Sequence, residues 1–88
     1  MINESVRGIY RHYKGKYYEV VDIGRHSENL EEFIIYRCLY GDFSFFIRPK
    51  DMFFEEVIYN GKNVQRFELV QKLEEIVPHE FDINKLTT

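Results

Sequence analysis

The segment Phe33-Ile34-Ile35-Tyr36-Arg37-Cys38-Leu39-Tyr40-Gly41-Asp42-Phe43-Ser44-Phe45-Phe46-Ile47-Arg48 decides the reading of the fold. Its flanks are β-branched and aromatic, which suits a pleated, half-buried surface. Gly41 followed by a polar residue suits a two-residue type II′ turn, so the segment reads as a hairpin. A two-residue loop pairs Tyr40 with Phe43, Cys38 with Phe45 and Tyr36 with Ile47 on one face. The other face then carries Leu39 with Ser44, Arg37 with Phe46 and Ile35 with Arg48. The first set has no formal charge and is the expected core side. The second sets two arginines around one ring.

Two more hairpins flank it. Asn60-Gly61, between residues 55–59 and 62–67, is the preferred pair for a type I′ turn, because both central residues need positive φ. That register sets Tyr59 opposite Lys62 and Val57 opposite Val64. Residues 8–23 reverse near Lys14-Gly15. A two-residue loop there puts His12 opposite Tyr17, whereas a three-residue loop with Gly15 in a bulge puts it opposite Lys16. The alternatives turn opposite faces inward, and both stay open.

Residues 26–31 are polar and read as a loop, with one helical turn at most after Asn29; residues 49–53 read as a single turn. Leu69, Val70, Leu73, Ile76 and Val77 make the stripe of an amphipathic helix over about 68–77, which Pro78 stops. That helix would cap an open end of the sheet, and the tail 82–88 should fray. Five or six short strands in local hairpins give a mainly β chain, a small antiparallel SH3-like barrel or roll with a C-terminal helix. A two-layer α+β sheet is the alternative.

Composition limits what such a unit can be. At 88 residues it reads as one domain over 1–88 with a thin core, and 15 aromatics (seven Tyr, eight Phe) thicken that core. No apolar run approaches a membrane span, and the N-terminus has no signal-peptide pattern. One cysteine, Cys38, excludes an internal disulfide and fits a reducing cytoplasm. The net charge of −3 argues against general nucleic-acid binding. Residues 1–50 carry eight Lys/Arg against seven Asp/Glu, and residues 51–88 four against eight. Any attraction for an anion therefore belongs to the first half.

Several stretches are also familiar in combination. They are Gly8-Ile9-Tyr10-Arg11-His12-Tyr13-Lys14-Gly15, Tyr18-Glu19-Val20, Arg25-His26-Ser27-Glu28, Tyr36-Arg37, Leu39-Tyr40-Gly41, Arg48-Pro49, Met52-Phe53, Gly61-Lys62 and Arg66-Phe67. Together they resemble the small bacterial domain of unknown function numbered 1653, over about residues 8–70. The resemblance implies a small SH3-type roll and no activity. This chain departs from the family pattern at Phe46, where Trp is usual, and at Gln65, where Pro is usual. Phe46 keeps a ring but has no indole N–H to donate.

For chemistry, His12, His26 and Cys38 lack metal-ligand spacing, so neither a metal site nor a cofactor is expected. Ser27 adjoins His26, but neighbours in an extended chain point to opposite sides, so adjacency makes no catalytic dyad. The outer-face cluster of Arg37, Arg48 and Phe46 is the better candidate, joined by His12 and His26. Two arginine forks could hold a carboxylate or phosphate, while the ordinary outcome pairs each arginine with a nearby acid. The chain thus reads as a non-enzymatic cytoplasmic binding module for an anionic small molecule or an acidic protein segment, with no membrane partner. The alternatives are a small hydrolase or transferase using His26, Ser27 or His12, and a homo-oligomer assembled through a sheet edge.

Overall fold

Asn60 and Gly61 both have positive φ, at 52° and 77°, as a type I′ turn requires. The strands they join, β5 (Glu56–Tyr59) and β6 (Lys62–Gln65), pair with Val57 opposite Val64 and Tyr59 opposite Lys62. This is the register expected from the turn. The structure, a computed structural model, describes residues 5–74.

Five further strands form one antiparallel sheet: β1 (Gly8–His12), β2 (Tyr17–Arg25), β3 (Glu32–Cys38), β4 (Phe45–Pro49) and β7 (Phe67–Lys72). Their order is β4-β3-β2-β1-β7, and the β5–β6 hairpin is a separate sheet. The fold is mainly β and antiparallel, but among the described residues the large sheet does not close: β4 and β7 remain as edges. The expected barrel is corrected to an open, two-sheet arrangement.

The first hairpin takes the three-residue loop. His12 N–H donates to Lys16 C=O at 2.8 Å, Gly15 N–H to His12 C=O at 2.7 Å, and Gly15 has φ 110°. Arg11 then pairs with Tyr17 and Tyr10 with Tyr18. His12 is thereby placed on the same face as Tyr10, Tyr18 and Val20, the face that holds the core.

The C-terminal helix is corrected over its first half. Residues 67–72 are strand β7, pairing with β1 so that His12 faces Phe67 and Tyr10 faces Leu69. The apolar stripe from Leu69 is compatible with a helix, but β1 offers an open edge of unpaired backbone groups, and a strand satisfies it. Residues 75–77 of the expected helix and the tail 82–88 lie outside the described residues. Arg66 is the pivot: its N–H donates to Glu55 C=O at 3.1 Å, and its C=O accepts Tyr13 N–H at 3.0 Å. The chain leaves the small sheet and joins β1 there.

The core lies on the inner face of the large sheet. Tyr10, Val20, Ile34, Tyr36 and Phe67 are buried there, and Phe53, from the one-turn helix α1 (Lys50–Phe53), closes over them. Phe53 stacks on Phe67 with ring centres 4.1 Å apart and planes 3° from parallel. Val20, Ile34 and Phe53 are fully buried, and each such side chain contributes roughly 1.5–3 kcal/mol.

Candidate functional site

The decisive hairpin reverses where expected. Phe43 N–H donates to Tyr40 C=O at 3.1 Å, closing a turn over Gly41-Asp42. Phe43 itself, however, has φ 57°, a left-handed conformation uncommon for a bulky residue. That one residue shifts the ladder: Cys38 N–H donates to Ser44 C=O at 2.9 Å, and Tyr36 pairs with Phe46 and Arg37 with Phe45. Asp42 stabilises the detour, its Oδ1 accepting from the Ser44 N–H at 3.1 Å. A one-residue slip turns every side chain of a strand to the other face.

The expected trio therefore separates. Arg37 stays on the outer face, its guanidinium 4.6 Å from the Phe45 ring centre rather than beside Phe46. Arg48 pairs with Ile34 and so points inward, as does Phe46 opposite Tyr36. His26 leaves the group too. Its Nδ1 accepts the Glu28 N–H at 3.1 Å, and its ring lies 6.4 Å from Phe33 at an outer-face hollow. No hydrogen bond joins His26 to Ser27 or His12 among the described residues, which leaves the dyad without geometry.

What gathers instead is a second cluster on the inner face. The Arg48 guanidinium carbon lies 5.9 Å from the Phe67 ring centre, and Arg48 Nε points at the Tyr36 hydroxyl at 3.4 Å. The Phe46 ring is 6.0 Å from Tyr36 and half exposed. The His12 ring packs edge-on to Phe67 at 5.0 Å. Its Nδ1 accepts the Lys14 N–H at 3.1 Å, so the neutral ring carries its proton on Nε2 and can donate there. Burial lowers the His12 pKa most, and the positive charges of Arg66, Arg48 and Lys14 lower it further. The rim continues through Tyr18 and Tyr40, whose hydroxyls are 2.7 Å apart. Lys16 sits 4.4 Å over the Tyr40 ring. Hydrogen bonding to Tyr18, then to Cys38, holds the Tyr40 phenol above the ordinary tyrosine range, so it stays protonated.

Acids balance this charge unevenly. Arg66 Nη2 meets Glu55 Oε1 at 2.6 Å, the ordinary outcome for a surface arginine. Arg48 takes part in none of the ion pairs among the described residues. A guanidinium over a ring recovers only about 0.5–1 kcal/mol at an exposed site, less than a charge-assisted bond to an anion. A guanidinium with no carboxylate partner among the described residues and a neutral imidazole N–H are donor types suited to a carboxylate or phosphate. Arg66 and Phe67 were legible only as the end of a hairpin. Their part depends on Phe67 joining β1, which local sequence does not announce. A second, polar cleft of about 400 Å³ lies between the sheets, lined by Arg11, Tyr13, Tyr59, Asn63 and Glu68 among others. No group of three or more metal-ligating side chains occurs among the described residues.

The fold and this face define a small open β-sheet domain whose inner surface sets one guanidinium, that of Arg48, against an aromatic cluster. The chain belongs to the family described as Protein of unknown function (DUF1653), whose profile matches residues 8–69. It is similar to the crystal structure of a DUF1653 protein from Bordetella bronchiseptica, with 28% identity, a TM-score of 0.69, and coverage of 80% of this chain and 92% of that one. Comparison with curated proteins gives no match. No helix among the described residues is long and apolar enough to cross a membrane.

Proposed function

We propose that this chain is a binding module that holds an anionic group on the inner face of its large sheet, through Arg48. His12 donates from Nε2, Arg66 adds positive potential, and Phe46 with Tyr36 walls the site. The observation that carries this reading is a half-buried arginine whose guanidinium lies over the Phe67 ring and meets no carboxylate among the described residues. The ligand is an anionic small molecule or an acidic segment of a partner. The single buried thiol, Cys38, supports a reducing, cytoplasmic setting.

Thermal melting with added sulfate or phosphate tests the site. A ligand at about 100 times its Kd stabilises by about 2.7 kcal/mol, which in a domain of this size raises Tm by roughly 10 °C or more. Arg48→Ala should abolish that rise with the fold intact. Arg37→Ala, on the opposite face, should leave it unchanged. Equal loss in both variants, or no response in the wild type to sulfate, phosphate or a nucleotide, defeats the proposal.

A further inference from the structure

Strand β4 pairs with β3 alone, so its other edge is open among the described residues. The bond from Cys38 N–H to Ser44 C=O sets the phase of the ladder, which then runs to Pro49 without a bulge. The backbone groups of Ser44, Phe46 and Arg48 therefore point at β3, and those of Phe45, Ile47 and Pro49 point at the opening. Pro49, which has no N–H, sits where none is needed by β3. Three consecutive residues of this edge are apolar and exposed: Phe45 at 56%, Phe46 at 50% and Ile47 at 66%. Unpaired edges of this kind draw further strands, and charges usually blunt them. The other edge, β7, carries Glu68 and Lys72. On the outer face Ile47 borders an apolar hollow of about 210 Å³ with Gly24, Phe33 and Ile35.

We infer that β4 pairs antiparallel with β4 of a second copy of this chain, about a two-fold axis through Ile47. Ile47 is the middle of the five-residue strand, so this register overlaps the whole of β4 with itself. Ile47 of each copy exchanges both backbone bonds with Ile47 of the other, and Phe45 N–H donates to Pro49 C=O. On the inner face Phe46 of one copy stands opposite Arg48 of the other, a ring against a guanidinium, twice. Moving the axis to Arg48 would set two like charges face to face. Moving it to Phe46 would draw Ser44 into the ladder beside the left-handed Phe43. The pairing is self-complementary, as a two-fold interface must be, and it brings a ring from each copy to the Arg48 site of the other. It rests on the edge geometry and does not require that site to bind anything.

Sedimentation of the full chain reads the result. A small interface of this kind should give a dimer at about 100 µM that dissociates on dilution to about 1 µM. Ile47→Pro removes only an N–H that faces the opening, and Ile47→Lys places a charge on the edge. Both are expected to be monomeric at either concentration, with an unchanged far-UV circular dichroism spectrum; Ile47→Lys decides the matter if the proline variant misfolds. Oxidised Ile47→Cys should form a covalent dimer, because directly opposed residues have Cα atoms about 5.5 Å apart, within disulfide range. Phe46→Cys should not, its two copies being diagonal neighbours about 7–8 Å apart. A wild-type chain that stays monomeric at the higher concentration overturns the pairing. An undiminished dimer in Ile47→Lys, or cross-linking through position 46 in preference to 47, does so equally.

Discussion

Arg48, on one edge strand, lies over the ring of Phe67, on the other edge strand, with 5.9 Å between the guanidinium carbon and the ring centre. The inner face is therefore curved enough for the two edges of the open sheet to meet. The charge and the ring come from residues 19 positions apart, and neither hairpin alone contains both.

The guanidinium plane matters as well as its charge. Arg48→Lys keeps the positive charge but loses the fork, including the Nε that points at the Tyr36 hydroxyl. The variant should retain a reduced Tm response to sulfate, while its own stability changes by less than about 1 kcal/mol, the size of an exposed cation–ring contact. Melting curves with and without sulfate separate the two effects.

His12 makes stability depend on pH in a definite sense. Its folded pKa is below the ordinary 6.5, so the unfolded chain binds the extra proton first. Stability is complete above about pH 6.5 and declines as pH falls from there toward the lowered folded value. His12→Gln should flatten that part of the Tm–pH curve. A bound anion opposes the three cations and should raise the His12 pKa, so sulfate should bind more tightly as pH falls. Proton uptake measured calorimetrically in two buffers checks this.

Phe53 should be among the costliest side chains to lose. It is fully buried, stacks on Phe67 and meets Tyr10 and Tyr36 edge-on at 5.4 and 5.3 Å. Phe53→Ala should destabilise by about 3–5 kcal/mol in urea unfolding.

Phe43 should respond to backbone preference more than to hydrophobicity. It is exposed and left-handed, with φ 57°. Phe43→Asn should be neutral or stabilising by up to about 1 kcal/mol, because asparagine tolerates this conformation. Phe43→Val should destabilise by roughly 1–2 kcal/mol. Chemical denaturation compares the two, and identical midpoints would mean that residue 43 is not held in the left-handed conformation.

Much of the fold was legible, and the failures have local causes. Asn60-Gly61 specified its turn and its register, because the required φ values belong to those two residues alone. The reversal falls at Gly41-Asp42 as expected, yet the strand after it takes the other face. The expected pairing buried Phe45 and Ile47, the choice that apolar burial favours for an isolated hairpin. The structure exposes both and turns Arg48 inward, which separates it from Arg37 and His26 and joins it to His12. Of the expected site, Arg48, Phe46 and His12 remain together. The residues near 70 misled because Leu69, Val70 and Leu73 suit a helical stripe as well as a strand.

Turn positions, strand content, the lone thiol and the family motifs could be read along the chain because each depends on a few neighbouring residues. Which side of the sheet Arg48 occupies, and whether residues 67–72 coil or extend, depended on partners distant in sequence. Side chains alternate with a period of two, so one left-handed residue reverses a whole strand. An open backbone edge outweighs a propensity worth a few tenths of a kcal/mol per residue.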